Sequence, residues 1–210
     1  MRAPLAHRGG IAILASCPSR RGKAEVRIVS GELRGRPIRA PEGDATRPTS
    51  DRARQAVFNI LEHAPWSPGL DGRRVIDLFA GSGAMGLEAL SHGAASCLFV
   101  ETAGPALAAI RANIEAFSLS DRARVLRQDA ARLGRAAEAP FDLAFLDPPY
   151  GEDLGGRALA ALAAGGWLTA DAIVALELGA DEPDPALDGY ALLDARRYGK
   201  ARVLFLRPVT

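Results

Sequence analysis

The chain has 210 residues, of which 48% are hydrophobic and 24% are charged, and its formal net charge at pH 7 is +1. This length suits one α/β domain with an accessory segment, and the apolar content is enough for a sizeable core. Two cysteines, Cys17 and Cys97, do not make a disulfide framework, and no apolar stretch approaches the roughly 20 residues of a membrane span.

The charge is distributed unevenly along the chain. Residues 1–60 carry 12 Lys and Arg against 5 Asp and Glu, whereas residues 61–210 carry 14 against 20. A basic segment on an acidic body favours contact between that segment and a polyanion. A solvated arginine-rich tail would give the same composition, so the charge alone leaves both interpretations open.

Residues 1–25 have no pattern typical of a helix or a strand. We expect a disordered extension or, alternatively, a mis-called gene start. The apolar run at residues 11–16 has about six residues, fewer than the ~7–15 of a secretory signal core. The sequence therefore predicts a cytoplasmic protein.

Residues 26–64 predict a small basic arm that precedes the main domain. Residues 26–38 favour a short β-hairpin with a glycine-containing turn. A helix follows, with capping residues available at positions 49–51 and an apolar packing stripe at positions 57–61.

Residues 65–210 predict alternating strands and helices that close in a hairpin. The strands are expected at residues 75–79, 95–100, 124–127, 141–146, 173–178, 190–197 and 200–207, and the helices at residues 84–92, 103–117, 130–137 and 156–164. This order indicates a mostly parallel sheet covered by helices, with an antiparallel end.

The turn after the first strand is rich in glycine. Gly81, Gly83 and Gly86 match the pattern G-x-G-x-x-G, and Glu101 follows at the distance expected of a ribose-binding acid. Such a turn brings backbone N–H groups and the positive end of a helix towards a ligand. Taken alone, the pattern favours an NAD-binding protein.

Four carboxylates lie at or just after the ends of the first four predicted strands: Asp77, Glu101, Asp129 and Asp147. Ligands of open α/β sheets bind beyond the carboxyl ends of the strands, so the four acids are expected at one site. Any one of them alone would most often be a helix cap or a solvated loop acid.

The last acid opens the motif Asp147-Pro148-Pro149-Tyr150. Two consecutive prolines keep the chain extended and leave carbonyl oxygens free as acceptors. The Asp147 carboxylate and the Pro148 carbonyl can together accept both hydrogens of an –NH2 group, and Tyr150 offers a flat face to a planar ring. The structural alternative is a proline turn with a packed tyrosine.

These motifs resemble a known group of enzymes. D-P-P-Y after the fourth strand, with D-x-F-x-G-x-G after the first, resembles the S-adenosylmethionine-dependent amino-methyltransferases. Residues 26–207 resemble more closely the RsmD-type family, bacterial methyltransferases that act on the exocyclic N2 of a guanine in small-subunit (16S) ribosomal RNA. The matching stretches are R-I-V-S-G-E-L-R-G-R, T-R-P-T-S-D-R-A-R, D-L-F-A-G-S-G-A-M-G-L-E-A-L-S-H-G-A and F-L-D-P-P-Y. Gln55 departs from the family, which usually has Glu there.

The resemblance implies a Rossmann-like, seven-stranded class I methyltransferase sheet with an antiparallel C-terminal hairpin, plus a small N-terminal hairpin-and-helix arm. It implies S-adenosyl-L-methionine as the cofactor. The implied cofactor-binding residues are Asp77, Phe79, Gly81, Gly83, Glu101, Asp129 and Ala130. In this set Asp77 would lie near the methionine ammonium, Glu101 would take the ribose hydroxyls and Asp129 the adenine amino group.

The resemblance also implies the catalytic residues Asp147, Pro148 and Tyr150. The arm, residues 26–64, is expected to bind RNA phosphates through Arg34, Arg36, Arg47, Arg52 and Arg54, and residues 65–210 to form the methyltransferase domain. The implied partner is small-subunit ribosomal RNA, alone or within a small subunit. No metal or membrane partner is expected, and a monomer is the simplest expectation. The three histidines, among them His92, have no metal-ligand spacing and are expected to be incidental.

Three other functions remain to be weighed. D-P-P-Y is shared with DNA methyltransferases for adenine N6 or cytosine N4, although these normally need a larger domain that recognises the base sequence. The glycine pattern favours an NAD(P)-dependent oxidoreductase, but leaves D-P-P-Y unexplained. A non-catalytic RNA-binding protein that kept the fold would not need an intact pocket.

Overall fold

The computed structural model describes residues 26–41, 51–149 and 153–209. The predictions for residues 1–25, for Arg47 and for Tyr150 fall outside these ranges. The helices are α1 (Asp51–His63), α2 (Ala84–Ser91), α3 (Gly104–Ala116) and α4 (Leu154–Gly165), and Ala130–Arg132 forms a 3-10 turn. The strands are β1 (Arg74–Leu78), β2 (Ser96–Glu101), β3 (Ala123–Arg127), β4 (Phe141–Leu146), β5 (Leu168–Gly179), β6 (Tyr190–Tyr198) and β7 (Ala201–Pro208).

The seven strands form one sheet in the order β3-β2-β1-β4-β5-β7-β6. Strands β1 to β5 pair in parallel, and β7 joins β5 and β6 by antiparallel pairing. The predicted fold class is therefore confirmed. Because β1 and β4 are neighbours and the chain leaves them in opposite directions along the sheet, their carboxyl ends form the switch point where α/β folds bind ligands.

Helices cover both faces of the sheet. On one face Phe58 of α1, Leu87 of α2 and Ile110 of α3 join a core cluster with Phe145 of β4. On the other face α4 packs its buried leucines against β1, β4 and β5. Long apolar runs in the central strands follow from this double cover, since both faces of each strand are buried. Among the described residues, no helix combines the length and the hydropathy that a membrane crossing needs.

The start of the described chain, residues 26–41, packs against α2 and α3. The predicted hairpin is reduced to one antiparallel bridge between Arg27 and Pro37. Gly31 has φ +76, and a Cβ there would lie 2.0 Å from the Ser91 carbonyl oxygen, so only glycine allows this approach to the end of α2. Asn113 of α3, which is 2% exposed, holds the other end of the segment: it accepts a hydrogen bond from Arg39 N at 2.8 Å.

The helix predicted at residues 130–137 is wrong. After the 3-10 turn the backbone takes tertiary hydrogen bonds in place of helical ones. Trp167 Nε1 donates to the Gly134 carbonyl at 2.7 Å, and Ala136 N donates to the Gly165 carbonyl at 2.9 Å. These bonds tie the segment to the end of α4, and they override its local helix propensity.

Candidate active site

The turn from β1 to α2 has an unusual backbone. Phe79, Gly81 and Gly83 have φ of 59°, 55° and 80°. Positive φ is rare for a side chain as large as phenylalanine and marks a strained turn held by its surroundings. A Cβ on Gly81 would meet only the Phe79 carbonyl oxygen, at 3.9 Å, so the space beside this backbone is open.

The third glycine of the pattern serves packing. A Cβ on Gly86 would lie 2.3 Å from Cε1 of Phe99 and 2.5 Å from Sγ of Cys97. Glycine at this position lets α2 lie directly on β2, which is the close helix–strand approach that the fingerprint requires. The Cys97 thiol is buried beneath it.

Asp77 lies under the turn and is 2% exposed. Its Oδ2 accepts a hydrogen bond from Gly86 N, in the first turn of α2, at 2.9 Å. Burial raises the pKa of Asp77 well above its usual value; the Gly86 hydrogen bond opposes this, and the charges of Asp147 and Glu101 raise the pKa further. A cation bound nearby would favour the ionised form.

Glu101 ends β2 with its carboxylate held from several sides. Its Oε2 accepts a hydrogen bond from Gly81 N at 2.9 Å, and its Oε1 accepts from Thr102 N at 2.7 Å and Ala103 N at 2.9 Å. The carboxylate is thereby fixed against the glycine turn. Asp129, after β3, accepts from Ala131 N at 2.9 Å and caps the 3-10 turn.

Asp147 follows β4 and lines a pocket at the switch point. The pocket has one other carboxylate, that of Glu177 on β5, and its remaining lining residues are apolar: Val57, Met85, Phe145, Leu146, Ala175 and Val203. Asp147 is exposed although it lines the pocket. Desolvation by the nearby protein, followed by the charge of Glu177, raises the pKa of Asp147 to about 7.

The structure places the predicted acids and the glycine turn at one edge of the sheet, at the carboxyl ends of β1 to β4. Pro148 is buried directly after Asp147, and Ala130 is buried after Asp129. Of the predicted RNA-binding arginines, Arg34, Arg36 and Arg52 are exposed. Arg36 stacks 4.5 Å above the ring of Phe117 and donates to the Ala116 carbonyl.

The burial of Arg54, which is 1% exposed, argues against the prediction that this arginine binds RNA. Its Nε donates to Oε2 of Glu88 at 3.2 Å, and its Nη2 donates to Oδ1 of Asp51 at 2.9 Å and to the Arg27 carbonyl. The guanidinium thus joins α1, α2 and the first described residues from the inside of the protein.

His92, for which no metal-binding role was expected, takes part in a hydrogen-bond network that includes Glu88. Its Nδ1 lies 2.9 Å from Oε1 of Glu62, and its Nε2 lies 2.7 Å from Oγ of Ser30. Glu88, whose carboxylate also accepts hydrogen bonds from the backbone of Val29 and Ser30, lies 3.7 Å from Nε2. The Glu88 and Glu62 carboxylates raise the pKa of His92.

Sequence reasoning missed Glu177, the second carboxylate of the pocket. It lies near the end of the fifth strand, in the stretch V-A-L-E-L-G, just as the four predicted acids lie near the ends of the first four. The same rule, an acid at the exit of a parallel strand, could have identified it. Met85, which packs against the core, also lines the pocket.

Comparison with known proteins connects this geometry to a family. Residues 26–207 match the family model described as Conserved hypothetical protein 95. Ribosomal RNA small subunit methyltransferase D of Escherichia coli K12 is 32% identical over 160 residues, which cover 76% of this chain and 78% of that protein. The protein of the same name from Haemophilus influenzae is 32% identical over 180 residues, covering 84% and 91%. Among solved structures, a hypothetical protein of Thermus thermophilus aligns with a TM-score of 0.69 at 31% identity and covers 88% of this chain and 99% of its own.

Proposed function

Since this chain belongs to the Conserved hypothetical protein 95 family and is an rRNA methyltransferase, we propose that it methylates the exocyclic N2 amine of one guanine in small-subunit rRNA. One observation carries the proposal: Asp147 and Pro148 follow β4 at the switch point, where Asp147 lines a largely apolar pocket. The family excludes the oxidoreductase that the glycine pattern favoured.

An S-adenosylmethionine-type methyl donor is implied by the methyltransferase relatives, and the residues at the glycine turn fit it. The open space beside Gly81 lets a ligand approach the backbone closely. Carboxylates suit hydroxyl and amine donors, and the acids around Asp77 favour a cation over an anion. We assign the donor to Asp77, Phe79, Gly81, Gly83, Glu101, Asp129 and Ala130. When bound, it supplies an electrophilic methyl group on a sulfonium.

Asp147 and Pro148 prepare the amine. The lone pair of guanine N2 is delocalised into the ring, so the amine is a poor nucleophile. Hydrogen bonds from its two hydrogens to the Asp147 carboxylate and the Pro148 carbonyl favour a pyramidal nitrogen with its lone pair directed at the donor. The contribution of the protein is positioning and charge placement. The alkylated nitrogen is acidic, and Asp147 is the nearest group to receive its proton.

A guanine paired in a helix cannot reach this pocket, so the target base must be unstacked and turned out of its strand. We propose that Tyr150, which lies outside the described residues, stacks on the base. Arg34, Arg36 and Arg52 provide exposed positive charge for the flanking phosphates, so binding will weaken with rising salt. Arg47, also outside the described residues, stays a prediction. The expected setting is a cytoplasmic monomer acting on the small subunit or its RNA.

The test uses radiolabelled S-adenosylmethionine and small ribosomal subunits, or their RNA, from cells that lack the enzyme. We expect label at N2 of one guanine. Asp147→Ala should abolish transfer while cofactor affinity, measured by calorimetry, stays within about threefold. Asp171→Asn, which removes an exposed carboxylate from β5 far from its carboxyl end, is the matched control and should leave transfer unchanged. Label at another base or only in DNA would refute the proposal, and loss of cofactor binding in Asp147→Ala would refute the role of that residue.

A further inference from the structure

The pocket contains two carboxylates that the register of the sheet brings to the same face. In the parallel pairing of β4 and β5, Phe145 lies opposite Ala175 and Leu146 opposite Leu176. Glu177 lies two residues after Ala175 on β5, and Asp147 directly follows the end of β4. Both carboxylates line one pocket together with Phe145 and Ala175, so they share the face of the sheet that carries this pair.

The two carboxylates are the polar side chains of a pocket whose remaining walls are apolar. These walls come from α1, α2, β4, β5 and β7, with Val57, Met85 and Val203 among them. Two neighbouring acceptors in an apolar pocket match a ligand with two neighbouring hydrogen-bond donors.

Among the RNA bases, guanine alone presents two adjacent donors, N1–H and the N2 amine. Adenine and cytosine place an acceptor beside their amine, and uracil places an acceptor on each side of its N3–H. With the amine hydrogens accepted by Asp147 and Pro148, the neighbouring N1–H of guanine needs a further acceptor.

We propose that Glu177 is that acceptor: it binds N1–H of the target guanine and so makes the pocket selective for guanine. This inference rests on the proposed function of the site. It explains selectivity for guanine by a contact within the pocket. A carboxylate has about four acceptor positions, so binding N1–H leaves room for other partners of Glu177.

The experiment compares guanine with 2-aminopurine at the methylated position of small-subunit RNA assembled with its ribosomal proteins. 2-Aminopurine keeps the 2-amino group but has an acceptor at N1. Wild-type enzyme should transfer methyl to 2-aminopurine at least ~100-fold more slowly in kcat/KM. Glu177→Gln can donate from its amide to the N1 acceptor, so the ratio of guanine to 2-aminopurine should fall at least ~10-fold.

Two control variants separate recognition from structure. Glu177→Asp keeps an acceptor that cannot donate and should retain the preference for guanine at a lower rate. Asp171→Asn should behave as wild type. Because both substrates are assayed on one enzyme preparation, partial loss of folded protein cancels in the ratio.

Equal loss of both rates in Glu177→Gln, with an unchanged ratio, would overturn the inference and leave Glu177 a structural role. Comparable transfer to both bases by the wild type would also overturn it, even if the variant did not fold. Failure of the wild type to label guanine N2 in native RNA would instead refute the proposed function.

Discussion

Replacing Arg54 by methionine tests whether this arginine serves the fold or the RNA. The guanidinium is 1% exposed and Glu88 is 0% exposed, so Arg54→Met leaves a buried carboxylate without its ion-pair partner. Breaking a buried ion pair in this way costs about 3–5 kcal/mol. The backbone N–H groups of Val29 and Ser30 still donate to Glu88, which places the expected loss near the lower value, about 3 kcal/mol. The partly exposed Asp51 adds little.

In a chain of this size, 1 kcal/mol shifts Tm by about 2–4 °C, so Arg54→Met should lower Tm by about 6–12 °C in scanning calorimetry. Arg52→Met is the matched control, because Arg52 lies two residues earlier on α1 and is exposed. It should change stability by less than about 0.5 kcal/mol. It should nevertheless weaken RNA binding and reduce the salt slope by about one.

The interpretation also predicts a pH dependence. The fold lowers the pKa of Glu88: burial alone would raise it, but the His92 and backbone hydrogen bonds and the charge of Arg54 prevail. A carboxyl group whose pKa is lowered by folding stabilises the fold when the pH is above the pKa of the group in the unfolded chain, about 4.3. This stabilisation is lost as the pH falls through the pKa in the folded protein. The difference in the free energy of unfolding between wild type and Arg54→Met should therefore narrow in acid. Adding Glu88→Gln to Arg54→Met should recover part of the lost stability at pH 7. A wild-type Tm in Arg54→Met combined with weaker, less salt-dependent RNA binding would refute the reasoning.

Three further predictions concern the pocket and its supporting turn. Gly86→Ala places a methyl group inside the packed contact between α2 and β2, and should lower stability by about 1–3 kcal/mol; an unchanged Tm would contradict the packing argument. Asp77→Asn keeps an acceptor for the Gly86 N–H group but removes a buried charge, so the ligand-free variant should be at least as stable as wild type at pH 8. Calorimetry should show a cofactor affinity that is lower by about tenfold or more. An affinity equal to that of wild type would show that Asp77 does not bind the cofactor. Ionised Asp147 is the acceptor, so kcat/KM should fall at low pH. Glu177→Gln removes a charge that raises the pKa of Asp147 and should therefore move this decline to lower pH. A pH profile identical to that of wild type would show that the two acids are not coupled.

The sequence predicted the sheet and the edge where the site lies because both follow from local pattern. Buried strands alternate with helices, and acids stand where strands end, so Asp77, Glu101 and Asp147 could be grouped from their positions in the chain alone. The length of the helix after Asp129 could not be predicted, because the backbone of this segment forms hydrogen bonds with Trp167 and Gly165, which are distant in sequence. Local propensity contains no information about such partners.

The arginines show the same limit more sharply. Arg52 and Arg54 are two residues apart on one helix, yet one is exposed and the other is buried. Charge counting treats them alike, and only the helix orientation and the position of Glu88 separate them. Glu177 is a different case: the rule of acids at strand exits applies to it as well, and the structure adds that it lines the same pocket as Asp147.

The charge around the glycine turn indicates what kind of ligand binds there. Burial and neighbouring acids raise the pKa of Asp77. A carboxyl group whose pKa is raised by folding stabilises the fold when the pH is below its pKa in the unfolded chain, about 3.9, and this stabilisation is lost as the pH rises through the pKa in the folded protein. At neutral pH the ionised Asp77 therefore weakens the ligand-free fold, and a cation at the site would offset this loss. An anionic pyrophosphate would add to the repulsion, since Asp77 and Glu101 already use the N–H groups of Gly86 and Gly81 that would bind a phosphate. A glycine turn whose amides are engaged by acids is suited to a positively charged methyl donor and unsuited to a dinucleotide, although the two share one sequence pattern.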